Sequence, residues 1–223
     1  MPEERASGII VRVRPYSDTS LIVHWLTAEQ GRVVTLAKGA RQPKSPFQGK
    51  LDLLFAGDLS YISGRRSLLH TLREFLPRIR YSGVRADYGK LVQAAYGVVL
   101  LERETETDTP VPELYNLFTA WVEYLEGHPP QPRTVYAFEA RLLELLGLDP
   151  GAATEGLRPE SKELLLQLLT VEWVKLPSLV ASGATVRQVS EFLRRRLVEA
   201  FGSVPTSRTE AVKRNVGGGK VER

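Results

Sequence analysis

The sequence predicts an α+β protein in which a small closed β-barrel is followed by an α-helical bundle. Three observations lead there. From Gly8 to Phe75, short runs rich in β-branched and aromatic residues are punctuated by Gly, Pro, Asp and Ser. From Tyr88 onward the apolar residues recur at three- and four-residue steps. Proline and glycine breakers then divide this second half into helix-length pieces. With 223 residues, 43% of them hydrophobic, the chain has the apolar surface for a real core.

In the first run, Gly8 to Arg14, Ile9, Val11 and Val13 alternate with Ile10, Arg12 and Arg14, which predicts one buried face and one face carrying the two arginines. A turn is expected at Pro15 to Asp18. The second and third runs, Thr19 to Thr27 and Gly31 to Lys38, are joined by Ala28, Glu29, Gln30 and Gly31. That is a hairpin connection ending in a glycine that tolerates positive φ. After a loop from Gly39 to Gln48, further strands are expected at Lys50 to Phe55, Asp58 to Ile62 and Ser67 to Phe75, with Gly57 and Gly64 marking bends or a bulge. Five or six strands in about 70 residues fit a small closed barrel.

In the second half, Tyr88, Leu91, Val92, Ala95, Val98, Val99 and Glu102 trace the first amphipathic helix. Helical runs follow at Val111 to Glu126, Thr134 to Leu146, Ser161 to Val174 and Thr185 to Phe201. In the last of these, Thr185 and Gln188 have the spacing of a capping box. A short helix near Thr206 ends the pattern. No single helix here buries its stripe alone, which implies a bundle in which aromatics such as Tyr96, Trp121, Tyr124, Tyr136, Phe138 and Trp173 belong to the core. The expected division is a barrel domain over residues 1–80, a helical domain over 81–214 and a disordered tail over 215–223, where three consecutive glycines stand.

Composition narrows the chemistry. There is no cysteine, so neither a disulfide nor a thiolate metal site exists, and the chain fits a reducing cytoplasm. His24, His70 and His128 are far apart in sequence and not at ligand spacing, so no metal site is expected. No stretch approaches the roughly 18 apolar residues of a membrane span, and the start of the chain opens with two glutamates and leads into a strand pattern. A soluble protein without a signal peptide, and without a membrane partner, is expected.

The net charge of +4 is modest, but it is unevenly spread. Residues 1–80 hold thirteen Lys and Arg against seven Asp and Glu; residues 81–160 hold six against thirteen; residues 161–223 hold eleven against six. A basic head before an acidic middle points to a localised polyanion contact, with chance segregation of solvated charge as the alternative.

Within the head, the loop Ala37 to Phe47 places Lys38, Arg41 and Lys44 beside Gly39 and one aromatic, Phe47, between two strands. Such cations neutralise phosphates with release of counterions, and an aromatic offers a face on which an unpaired base stacks. Arg12, Arg14, Arg32 and Lys50 would extend the patch. The competing reading is a solvated loop whose Phe47 plugs the barrel end. Arg194, Arg195 and Arg196 point about 100° apart on a helix and read as a solvated face.

Enzyme patterns fail. Gly39 and Gly49 are too far apart for a phosphate loop, and Leu51 stands where a Mg²⁺-binding Ser or Thr is needed. No H-E-x-x-H, G-x-S-x-G or G-x-G-x-x-G occurs, and Glu102, Glu104, Glu106 and Asp108 read as a solvated loop. The chain is therefore expected to be no enzyme and to use no cofactor.

The segment Arg14-Pro15-Tyr16-Ser17-Asp18-Thr19-Ser20-Leu21-Ile22-Val23, then Thr27-Ala28-Glu29-Gln30-Gly31-Arg32-Val33, then Ala37-Lys38-Gly39-Ala40-Arg41 closely resembles the N-terminal domain of the RecO family of DNA repair proteins. Ser45 with Phe47, the stretch Leu72 to Tyr88, and Glu144-Leu145-Leu146-Gly147-Leu148 continue the resemblance, which is strongest before residue 80.

The resemblance implies an OB-fold barrel followed by a helical domain, in a bacterial cytoplasmic, nucleoid-associated recombination mediator. It implies binding of single- and double-stranded DNA, annealing of complementary strands, and assistance to RecA loading together with RecR on DNA coated by the single-stranded DNA-binding protein. It also implies docking of that protein's acidic C-terminal tail.

Carried over to this sequence, Lys38 and Arg41 lie in the matching motif and Arg14 beside the matching turn, so these are the first DNA-contact candidates. Arg12, Lys44 and Lys50 come second. Many relatives carry a zinc module with cysteine pairs in the helical half, whereas the stretch after Gly147 here is short and has no cysteine. The alternative function is a protein-interaction adaptor whose barrel is structural.

Overall fold

A computed structural model of the protein describes residues 3–64, 68–107, 109–152 and 154–213. The expected tail over 215–223 and the strand start at Ser67 lie outside the described residues. Two compact units divide the chain. Among the described residues, one holds those up to Ser82 together with those of Glu104–Asn116; the other holds Gly83–Arg103 and those from Leu117 to Lys213.

The first unit is a closed five-stranded barrel of β1 (Glu3–Pro15), β2 (Leu21–Thr27), β3 (Gly31–Ala37), β4 (Ala56–Ile62) and β5 (Leu69–Ile79), in the order β1-β2-β3-β5-β4. Its β1-β2-β3 meander is antiparallel, β4 pairs with β1 and β5, and a parallel β3-β5 pair, Val34 opposite Leu69, closes the cylinder. This is the OB-type closure of a small barrel, which leaves no sheet edge exposed.

Strict alternation in β1 fails at one place. The β1-β2 register shifts between Ile10 and Arg12, so Val11 is a bulge that reverses which side chains point inward. Ile10, opposite Trp25, enters the barrel core, and Ile9 and Val11 are buried as well. After the bulge Val13 faces Val23 inside, and Arg12 and Arg14 pair with His24 and Ile22 on the outer face. The two arginines thus share a face as expected, but Ile10 does not share it with them.

The run Lys50 to Phe55 is a turn rather than a strand. Leu54 has φ of 64°, outside the strand region, and its amide donates to the Ile10 carbonyl at 2.8 Å, while the Ile10 amide donates to the Phe55 carbonyl at 2.9 Å. The apolar run is there to bury Leu54 and Phe55 against the β1 bulge, which periodicity cannot distinguish from a strand.

The hairpin at Gly31 is as expected and has an added partner. Thr27 Oγ donates to the Gly31 carbonyl at 3.0 Å and accepts from the Gln30 amide at 3.1 Å. The loop between the first two long helices lies along it: Arg32 N donates to the Glu106 carbonyl at 3.1 Å, Val111 N to the Ala28 carbonyl at 3.0 Å, and Thr107 bridges Gly31 and Arg32. Of the acidic residues read as a solvated loop, Glu102 and Glu104 instead belong to the helix Tyr88–Glu104, Asp108 lies outside the described residues, and Glu106 is in a loop whose backbone is bonded to the barrel.

The second unit is helical. After α1 (Ser82–Ala86) come α2 (Tyr88–Glu104), α3 (Pro112–Gly127), α4 (Pro132–Leu145), α5 (Pro159–Thr170), α6 (Gly183–Phe201) and α7 (Ser207–Ala211), the last near the expected Thr206. Three helices open on a proline at their first turn, where its missing N–H costs nothing and its φ is preset. Helix α4 is central, with Thr134 to Ala140 wholly or nearly buried, and Phe138 stacks on Trp121 at 4.2 Å between ring centroids. Tyr96, Trp121, Tyr124, Tyr136 and Phe138 are in the core; Trp173 is half-buried.

The end of α5 and the cap of α6 differ from expectation. Helix α5 stops at Thr170 because the Arg141 side chain caps it: Nε donates to the Leu168 carbonyl at 3.0 Å and Nη2 to the Val171 carbonyl. Trp173–Ser178 then forms a separate 3₁₀ turn, and the Arg141 guanidinium lies 4.2 Å from the Trp173 ring centre. Helix α6 is capped by Ser182, whose Oγ accepts from the Thr185 amide at 3.1 Å. Gln188, expected in a capping box, instead accepts from Ser161 Oγ at 2.6 Å and ties α6 to the start of α5.

Candidate nucleic-acid interface

The site is built at the end of the barrel where β1, β2 and β3 finish or begin in register. Pro15 lies opposite Leu21 and Leu21 opposite Ala37, so the turn after β1 and the loop after β3 leave the sheet at the same end, two strands apart. At the spacing of neighbouring strands that is about 10 Å.

Hydrogen bonds lock the two segments together. The Tyr16 and Ser17 amides donate to the Ser20 carbonyl at 3.0 and 3.3 Å, and Ser17 Oγ accepts from the Ser20 amide at 3.2 Å. Across the gap, Arg41 N donates to the Thr19 carbonyl at 2.9 Å, Arg41 Nη1 to the Ser17 carbonyl at 3.0 Å, and Gly39 N to Ser20 Oγ at 3.3 Å. Gly39 sits at φ of 67°, which lets the loop double back after Lys38.

The loop then proceeds as a chain of tight turns, with the amides of Gln42, Ser45, Gln48 and Lys50 each donating to the carbonyl three residues earlier. A polar, Pro- and Gly-rich segment is thereby given a fixed course.

Of the six candidate contacts, Arg14, Lys38 and Arg41 are exposed and are brought together at this corner, Arg14 one residue before the Pro15–Leu21 pair. Lys44 is exposed on the next turns of the loop. Arg12 is half-buried on the outer face beside His24.

Lys50 lies elsewhere. It is half-buried in a recess of about 310 Å³ with Glu3, Arg73 and Glu74, none of which belongs to the Ser17–Arg41 corner.

Phe47 is 6% exposed and belongs to the barrel core with Trp25, Tyr61 and Phe75. It plugs the barrel and offers no face to a base. Its flanks, Pro46 and Gln48, are exposed, which is why the sequence around it resembles open loop.

The electrostatics distinguish this corner from the larger recess on the barrel wall, about 560 Å³, where Arg5 and Arg78 face Glu29, Asp58 and Glu74. There Ser7 Oγ at 2.7 Å and Arg78 Nε at 3.0 Å hold the Asp58 carboxyl below its usual range, so the cation is already committed to a carboxylate. At the corner, by contrast, the Arg41 guanidinium donates to the neutral Ser17 carbonyl rather than to a carboxylate.

Among the described residues no group of three or more His, Asp or Glu is placed to hold a metal ion, and no helix is long and apolar enough to cross a membrane. Sequence reasoning did not single out Tyr16 for a role. Its signal was present: an aromatic in a turn between proline and serine, where no core stripe demands one.

Comparison with known proteins follows the same division. The family described as "Recombination protein O N terminal" matches residues 1–77, and "Recombination protein O C terminal" matches residues 85–152. A DNA repair protein RecO from Rhodopirellula baltica is 35% identical over 143 residues, 64% of this chain and 53% of that protein. The RecO of Pelobacter propionicus is 29% identical over 150 residues, 67% of this chain and 61% of that protein. That of Listeria welshimeri is 31% identical over 148 residues, 66% of this chain and 57% of that protein. The chain thus spans between half and two thirds of these relatives. With both halves of the family matched in order, one over the barrel and one over the first helices, the chain belongs to the RecO family.

Proposed function

We propose that this chain is a recombination mediator in DNA repair, one that binds single- and double-stranded DNA through the barrel assigned to residues 1–80 and anneals complementary strands. The observation that carries the reading is the corner at which Arg14, Lys38 and Arg41 stand exposed, fixed by the bonds between Ser17–Ser20 and Gly39–Arg41. Preorganised cations bind phosphates with little ordering cost, and each phosphate neutralised releases counterions. Lys44 and Arg12 extend the contact along the loop and the outer face, and Lys50 contributes from its separate recess.

No bond is made or broken by the protein. Annealing is driven by base pairing, so the protein needs only to raise the local strand concentration and screen phosphate repulsion, and ATP is not required. In this reading the chain works in the bacterial cytoplasm at the nucleoid. The helical residues dock the acidic tail of the single-stranded DNA-binding protein, and RecR joins the complex to assist RecA loading. The absence of cysteine removes a thiolate zinc module from this account; the basic corner does not depend on one.

The test is annealing of complementary oligonucleotides, bare and coated with the single-stranded DNA-binding protein, by wild type and by a Lys38→Glu/Arg41→Glu variant. The expected outcome is rapid annealing by wild type and its loss in the variant. Annealing at an equal rate by both overturns the site assignment. An adaptor with a purely structural barrel would show no salt-sensitive DNA affinity at all.

A further inference from the structure

With Phe47 inside the barrel, the basic corner retains one aromatic. Tyr16 is 58% exposed, and among the described residues of the barrel unit no other Phe, Tyr or Trp is exposed. A tyrosine in a structural role buries a large ring and finds its hydroxyl a partner. Tyr16 does the reverse: its backbone is held by its amide bond to the Ser20 carbonyl at 3.0 Å, in a turn that Ser17 Oγ and Arg41 brace, while its ring stands in solvent.

Its position follows from register. Tyr16 succeeds Pro15 and Lys38 succeeds Ala37, and both partners of Leu21 lie at the same end of the sheet, so the exposed Tyr16 leaves the sheet at the end where Arg14, Lys38 and Arg41 are also exposed. A rigid backbone, an exposed ring and flanking cations are the components of a stacking platform, since cations track the phosphates while the ring covers a base.

Resting on the nucleic-acid reading above, we propose that Tyr16 is a base-stacking residue that gives this corner its preference for unpaired over duplex DNA. In a duplex both faces of every internal base are covered by neighbouring base pairs, so the ring has nothing to cover. In a single strand a base swings out and stacks. The cations serve both forms alike, and the ring distinguishes them.

The test uses the full chain and fluorescence anisotropy with a labelled oligodeoxythymidine and a duplex of equal length. Tyr16→Ala is expected to weaken single-strand binding about 5- to 100-fold, leaving duplex affinity and the salt dependence of both unchanged. Tyr16→Phe and Tyr16→Trp should retain wild-type behaviour, because the ring is what acts. Oligonucleotides with abasic sites, which keep every phosphate, should bind wild type more weakly and Tyr16→Ala no more weakly than intact strands.

Equal loss on single and double strands, or no loss, overturns the proposal even when wild type binds DNA with normal salt sensitivity. If wild type shows no salt-sensitive DNA binding, the nucleic-acid reading itself fails. Because the side chain is exposed, the alanine variant should fold, and an unchanged urea midpoint checks that it does.

Discussion

Glu139 is fully buried on α4, and its carboxylate is enclosed by three donors: Arg208 Nε at 2.7 Å, Arg208 Nη2 at 2.8 Å and the Tyr96 hydroxyl at 2.7 Å. Burial, then the adjacent Glu139 charge, pushes the Tyr96 phenol far above its usual range, so it stays a donor. Burial works against the Arg208 charge, but the bonds to Glu139 and its charge outweigh it and hold the guanidinium protonated. Glu139→Ala therefore strands a buried cation and should cost about 3–5 kcal/mol in urea unfolding, whereas Glu139→Leu/Arg208→Met should recover most of that loss. A near-neutral single variant would show that the pair contributes little.

Residue chemistry was the level least legible in sequence. Nothing in a lone glutamate on a helix or an arginine near the end of the chain announces their pairing across 69 positions. The exchange of roles between Phe47 and Tyr16 has the same cause: both sit in polar turns, and only the closure of the barrel decides which ring is enclosed.

At the scale of elements, the hairpin at Gly31 shows what a local pattern omits. Its positive φ was legible from the turn, but the crowding was not: a Cβ there would lie 2.2 Å from the Thr109 carbonyl oxygen and 2.7 Å from that of Glu106. Gly31→Ala should therefore cost more than the roughly 1–2 kcal/mol that an L residue pays in this region. Gly49→Ala, at φ of 67° with nothing within 4 Å, should cost only that conformational penalty. Urea midpoints of the two variants make the comparison, and equal losses would mean that the 104–116 segment does not clamp the hairpin.

Elements set by local chemistry were largely legible: helices expected from Val111, Thr134 and Ser161 open within two residues of those positions, on Pro112, Pro132 and Pro159, and Gly57 sits at a register shift in the β4-β5 pair. Elements set by distant partners were not. Arg141 ends α5 four residues before the expected Val174, and Lys50–Phe55 turns because the Ile10 backbone takes up its hydrogen bonds.

For the whole molecule, the order of barrel and bundle followed from a single change in apolar period, because that change reflects which surfaces each half must bury. The membership of residues 104–116 in the barrel unit did not, since an acidic loop between helices carries no apolar pattern to place it. Charge does not follow the same division: the basic excess lies in residues 1–80, but Glu104, Glu106 and Glu113 of the acidic middle belong to the barrel unit too, so polyanion affinity should depend on where the barrel's cations are exposed rather than on its net charge. Cations on α6 are differently placed, with Arg194 and Arg196 bound to Glu191 and Glu199.

The measurement that bears most directly on this is the salt dependence of single-strand DNA affinity, compared between wild type, Lys38→Ala/Arg41→Ala and Arg194→Ala/Arg195→Ala. Each phosphate contact contributes about 0.7 to the slope of log K against log salt on single strands. The barrel variant should therefore bind more weakly with a slope shallower by about 1.4, while the α6 variant keeps the wild-type slope. An unchanged slope in the barrel variant, or a loss confined to the α6 variant, would contradict the assignment of DNA binding to the Arg14–Lys38–Arg41 corner.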